Sequence, residues 1–237
     1  MIAQSVDPSL HLMRRKVTID RLTAEIADAL QAIGLETIVL KGPVLAAWLY
    51  PGELRQYCDS DLMVAPERWA QAARVLKQMG FRSWVLRPLF VDPGGTAFQR
   101  DADIVDLHYA IPGLFGDPRA VWDSIRVRSA SQSIGGAELR VPDRTTALMH
   151  VALHAGHHTN LLGAQPFEDL RRAIARTHEQ QWQRALDLAR EYDGVAAFAT
   201  GLQLLPEGRE LAKDWGWERY AHSAIACGSK TILLRRR

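Results

Sequence analysis

The chain has 237 residues, 47% of them hydrophobic and 24% charged, with a formal net charge of +2. That is enough apolar mass for a core, and too little charge of either sign to mark a disordered chain or a nucleic-acid binder. Two distant cysteines, Cys58 and Cys227, exclude a disulfide framework and a cysteine-based zinc pattern, and no apolar run reaches the length of a membrane span. A cytoplasmic, membrane-free protein is the expectation, since the N-terminal stretch also lacks the apolar segment of a secretory signal.

In chain order, residues 17–33 predict an amphipathic helix. Ile19, Leu22, Ile26, Leu30 and Ile33 recur at three- and four-residue steps, and Gly34 is a natural stop. Residues 37–40 form a short apolar strand. Gly42 then opens a turn, and Pro43 suits the first position of a helix running to about residue 50, closed by Pro51-Gly52. Residues 59–64 read as a strand and 66–79 as a helix. Residues 81–86 and 96–100 are two further strands separated by the loop Asp92-Pro93-Gly94-Gly95, and 103–111 is the next strand. The alternation of helix and strand gives an α/β or α+β class with a mixed sheet.

Past Pro112 the texture changes. Residues 126–134 and 138–141 predict a hairpin around Gly135-Gly136, and Asp143 is placed to cap a helix. From there the pattern is helical: 144–160, 167–178, 180–193, 195–204 and 207–217. The expected organisation is a catalytic domain over 1–141 and a mostly α-helical domain over 142–237.

The chemistry concentrates early. Asp59 and Asp61, two apart on a strand, share one face, where they repel each other unless a cation lies between them. Mg²⁺ (or Mn²⁺) is bound by a few such hard oxygens together with substrate phosphates. Asp106 sits in a second strand, on the face it shares with Ile104 and His108, and a carboxylate in so apolar a segment demands a partner. It is the third acid of the set, a metal ligand and a candidate general base, with Asp103 as the runner-up for that place. Lys41 and Gly42 lie at a strand-to-helix turn, where a point charge and a closely approachable backbone suit phosphate. Arg55 is placed to touch the carboxylates or a phosphate, and His108 to donate to either. Farther on, His150, His154, His157 and His158 fall on one side of a helix without any cysteine or HExxH partner. They suggest an acceptor-side surface, carried by His154 and His157, more than a zinc site.

These motifs, LKGPVLAAWLY, the R-x-x-x-D-x-D spacing and VDLHY, resemble the DNA polymerase β-type nucleotidyltransferase superfamily. More narrowly they resemble its uncharacterised bacterial nucleotidyltransferase family. The resemblance is close from about residue 38 to 111 and thins into the helical half. The superfamily has Gly-Ser or Gly-Gly at the turn; Gly42-Pro43 here removes one backbone N–H and a hydroxyl. The resemblance implies transfer of a nucleoside monophosphate from an NTP, with ATP the expected donor, to a hydroxyl or phosphate acceptor, releasing pyrophosphate. Metal ligation and catalysis fall to Asp59, Asp61 and Asp106, and nucleotide binding to Lys41, Gly42, Arg55 and His108. A small molecule or a peptide is favoured over nucleic acid as acceptor. The alternatives are a non-catalytic nucleotide-binding or interaction module, and an RNA-directed enzyme of toxin-like or tRNA-modifying type.

Overall fold

The structure is a computed structural model, and it describes residues 8–84, 94–157, 164–213 and 215–216. The chain forms two compact units, one of residues 1–110 and 122–143 and the other of 111–121 and 144–237.

The first unit is built on a five-stranded mixed sheet. Its strands are β1 (Ile38–Val39), β2 (Ser60–Met63), β3 (Arg82–Trp84), β4 (Gly95–Arg100) and β5 (Asp103–His108), in the spatial order β1-β2-β5-β4-β3. Only β2 and β5 run parallel; the other three pairings are antiparallel. The connection between the parallel pair passes through the helix α3 (Trp69–Gln78) and the antiparallel strands β3 and β4. Pleating then sorts the side chains. Leu62, Val64, Val105 and Leu107 join a core with Leu22, Ile26 and Leu30 of α1 (Pro8–Gln31) and with Ala72, Ala73 and Leu76 of α3. The alternate positions, Asp61, Asp106 and His108, therefore face away from that core. A short helix α2 (Gly42–Leu49) follows β1, and its apolar sequence is buried except at Ala47, which is exposed, and Trp48, which is half-buried.

Two sequence expectations need correction here. Helix α1 begins at Pro8 and not at residue 17: its first half is exposed, with Leu10, Met13 and Val17 open to solvent, so the burial pattern that marks a helix begins only at Ile19. Residues 126–128 are not strand. They end the helix α4 (Pro118–Arg128), ahead of the hairpin β6 (Ala130–Ile134) and β7 (Ala137–Val141). Val127 in a strongly basic stretch mimics strand alternation, yet it is 75% exposed.

The second unit is helical. Its helices are α5 (Arg144–His157), α6 (Gln165–Arg176), α7 (Glu179–Glu191), α8 (Val195–Leu202) and α9 (Pro206–Lys213). Helix α5 is the axis, with Leu148, Met149, Val151, Ala152, Leu153 and Ala155 all buried, and α6, α7 and α8 pack around it. Trp182 of α7 is fully buried and meets Phe198 of α8 edge-on at 6.2 Å between centroids. Trp217, His158 and residues 85–86, parts of expected elements, lie outside the described residues. No helix among those described is long and apolar enough to cross a membrane.

Candidate active site

The site begins with strand register. In the parallel pair β2 and β5, Asp61 stands directly beside Asp106, and Met63 beside His108. A two-residue periodicity on each strand then places Asp61, Asp106 and His108 on one face. One oxygen of each carboxylate and one imidazole nitrogen of His108 lie within 4.8 Å of one another. Two carboxylates at that spacing repel by about 3–4 kcal/mol at an effective dielectric near 20, so the pair requires positive charge.

Lys41 supplies it. Its Nζ lies 2.6 Å from Asp61 Oδ1, with the lysine side chain 13% exposed and the aspartate 3%. The same Oδ1 accepts from His108 Nε2 at 3.3 Å. Leu40 N–H donates to the carbonyl of Asp61, which fixes the lysine's strand end against β2. Burial works against the Lys41 ammonium, but Asp61, Asp59 and Asp106 outweigh it and hold it above the ordinary lysine range. Burial likewise works to raise Asp61; Lys41 first and His108 second overcome it and hold the carboxyl well below the usual range.

Asp59 occupies a different position. It precedes β2, is half-buried, and lies outside the tight group of Asp61, Asp106 and His108. It acts on that group through charge. Burial and the neighbouring Asp61 push its carboxyl up to about 6, against the opposing pull of Lys41. Asp103, the runner-up acid, is tied elsewhere, accepting from Arg100 at 3.1 Å. Arg55 is buried at 7% exposure, its guanidinium 5.9 Å from the centre of the Tyr57 ring, and its charge reaches Asp59.

The turn at Gly42 has an unusual floor. Gly42 has φ +30°, a conformation disfavoured for any residue with a side chain, and a Cβ there would meet the Tyr57 ring at 3.4 Å. Tyr57 is fixed in turn by its hydroxyl, which donates to Asp20 of α1. Pro43 has no N–H, and the N–H groups of Val44 and Leu45 both donate to the carbonyl of Lys41. The first turn of α2 thus offers an anion the Gly42 N–H, so a phosphate in this region depends heavily on the Lys41 charge.

Sequence reasoning misses the support. Tyr57, Asp20 and the Thr23–Ser60 hydroxyl pair, at 2.8 Å, tie α1 to the residues around the acids. Gly95, which reads as loop, is the first residue of β4 and lies opposite His108. A Cβ on it would come within 2.7 Å of the Leu107 carbonyl and 3.0 Å of His108 Nδ1, so no larger residue fits. A glycine immediately before a strand is the available signal.

In the second unit, His150 and His154 lie one turn apart on α5 with ring centroids 6.1 Å apart, His150 buried and His154 half-buried. His157 ends the same helix.

Against known proteins, residues 9–207 match the family model described as uncharacterised nucleotidyltransferase. The chain belongs to this family. It is a nucleotidyltransferase. No curated protein matches its sequence. Among solved structures, the solution structure of the antibiotic-resistance factor ANT(2'')-Ia matches at 16% identity with a TM-score of 0.54. That match covers 74% of this chain and 93% of the other. The crystal structure of ANT(2'')-Ia in complex with adenylyl-2''-tobramycin gives 16% identity and a TM-score of 0.52, covering 74% and 99%. At that identity the likeness establishes shared fold, and this family member's chemistry rests on its own side chains.

Proposed function

We propose that the protein transfers a nucleoside monophosphate from ATP to a hydroxyl of a small molecule in a Mg²⁺-dependent reaction. The observation that carries this reading is the in-register pair Asp61 and Asp106, with Lys41 beside it at the entry to α2. The donor set fits a hard divalent cation. It offers carboxylate oxygens whose mutual repulsion needs positive charge, and Lys41 Nζ already fills that need as a built-in cation. Asp61 and Asp106 hold the ion in this reading, with Asp59 contributing charge at the rim. Its chemistry is the neutralisation of phosphate charge as the displacement proceeds.

The chain's own groups account for the rest. Lys41 and the Gly42 N–H bind phosphate. His108 donates to Asp61 and fixes that carboxylate's orientation. Asp106, half-buried on the same face, accepts the proton of the attacking hydroxyl. A new bond joins the acceptor oxygen to the α-phosphorus, the bond to the β-phosphate oxygen breaks, and pyrophosphate leaves with its electron pair. In this reading acceptor recognition belongs to the helical unit, with His154 and His157 as its candidate contacts.

The adenylylated aminoglycoside bound by one structural relative supports a small-molecule acceptor of this class. The near-neutral charge of the chain weighs against RNA. The test is incubation with ATP labelled on the α-phosphate, Mg²⁺ and a panel of hydroxylated small molecules. Label in a product with stoichiometric pyrophosphate supports the reading. Pyrophosphate-free ATP hydrolysis, or label appearing only in RNA, overturns it.

A further inference from the structure

Lys41 lies where two different demands for positive charge meet. Its ammonium is within 2.6 Å of Asp61, and its charge is felt by Asp59, Asp61 and Asp106 together. It therefore lies where the carboxylates concentrate negative potential, which is where a divalent ion also belongs. Two cations in one small buried space repel each other, and the group held by Asp61 is the end of a flexible lysine rather than a fixed backbone group. The turn that Lys41 precedes has given up donors: Pro43 lacks an N–H, and Val44 and Leu45 spend theirs on the Lys41 carbonyl. A nucleotide phosphate at this turn thus has need of the same ammonium that Asp61 holds.

We propose that Lys41 is an exchangeable counter-ion. It neutralises the Asp61–Asp106 pair in the metal-free protein, leaves when a divalent cation binds there, and is then released to the phosphates of the nucleotide. This rests on the metal-dependent reading above and adds an order to it: the cation arms the lysine. Asp61 does not lose its orientation in the exchange, because His108 donates to the same Oδ1 from the neighbouring strand. The lysine can depart while the carboxylate stays in place.

The exchange predicts a pattern in binding that catalysis does not report. Mn²⁺ alone, titrated calorimetrically into the wild-type protein, Lys41→Met and Lys41→Arg, should bind at least tenfold more tightly to Lys41→Met than to wild type. Lys41→Arg, which keeps the charge, should stay near wild type. Lys41→Gln serves the same purpose if Lys41→Met does not fold, as judged by circular dichroism. A non-hydrolysable ATP analogue provides the second arm. With EDTA the neutral variant should bind it as wild type does, because the ammonium is held by Asp61. With Mn²⁺ present the neutral variant should bind it at least tenfold more weakly. Equal Mn²⁺ affinity in wild type and variant, or an analogue affinity lowered equally with and without the ion, overturns the exchange and leaves the metal site standing. Failure of Mn²⁺ to bind any of the proteins at millimolar concentration removes the metal site itself, and both readings with it.

Discussion

Asp61 and Asp106 are neighbours across a parallel strand pair, side by side in register although 45 positions apart in sequence. Two buried or half-buried carboxylates so placed are a cost to folding that only cations offset, and Lys41 offsets it.

That relationship sets the expected behaviour of Asp61→Asn. Removing one acid from an acidic group relieves repulsion, and by that argument alone the variant gains stability. The ion pair reverses the expectation. Lys41 is nearly buried and loses its direct partner, and His108 loses its charged acceptor. We expect a stability loss of about 1–3 kcal/mol by chemical denaturation, with Asp59 and Asp106 limiting the damage. Turnover should fall by roughly two to three orders of magnitude. Undiminished turnover would remove Asp61 from the site.

At Gly42 the sequence suggests a side chain that would meet phosphate, and the structure gives a different reason for the glycine. The Cβ points at Tyr57, and φ +30° is strained for anything but glycine. Gly42→Ala should cost about 1–2 kcal/mol of stability and weaken nucleotide binding by displacing the turn. Because the strain is in the backbone, Tyr57→Ala in the same chain should not restore binding. Restoration would show that crowding alone was at fault. Tyr57→Phe, which only removes the hydroxyl bonded to Asp20, should cost about 1.5–3 kcal/mol, as for a hydrogen bond to a charged group.

Much of this site is legible in the sequence, because its signals are local. Asp59, Asp61 and Asp106 announce themselves as charges in apolar strands, and Lys41-Gly42-Pro43 as a strand-to-helix turn. What is not legible depends on tertiary register. Nothing in the sequence says that β5 lies parallel to β2 with Asp106 beside Asp61 and Asp59 outside the tight group, or that Lys41 pairs with Asp61. The same holds for Gly95, whose requirement comes from a neighbouring strand's carbonyl and imidazole. The early start of α1 escapes the sequence for the opposite cause. Its first half is helical without a buried face, so periodicity has nothing to read.

Gly95→Ala tests that register directly. A methyl group would lie 2.7 Å from the Leu107 carbonyl, inside the β4–β5 ladder, where neither backbone can yield cheaply. We expect a loss of about 1–3 kcal/mol, as for overpacking of a core, and lower activity through displacement of His108. Wild-type stability would mean that β4 is not paired as described.

In the helical unit, His154→Ala should weaken transfer to the acceptor more than it weakens nucleotide binding, read as separate Michaelis constants for the two substrates. Chelators selective for zinc should have no effect in excess Mg²⁺. Among the described residues, Asp61, Asp106 and His108 form a group able to hold a metal. Stoichiometric zinc lost together with His150 and His154 would reverse this assignment.

The last prediction concerns pH. Asp59 has its carboxyl raised to about 6 from an ordinary value of 3.8, by burial first and by Asp61 second. A group raised in the folded state binds its proton more tightly there than in the unfolded chain. Its contribution to stability is therefore complete below about pH 4 and is lost as pH rises through about 6. Asp61, held low by Lys41, titrates below this window with the opposite sign: it contributes above the ordinary carboxylate range and loses that contribution in acid. In EDTA, the melting temperature should thus carry a component that falls between pH 4 and 6, and Asp59→Asn should remove it. Mg²⁺ should also remove it, since a cation favours the ionised carboxylate that folding otherwise penalises. A wild-type profile that Asp59→Asn leaves unaltered across that window would show that Asp59 is solvated and takes no part in the charge balance of the site.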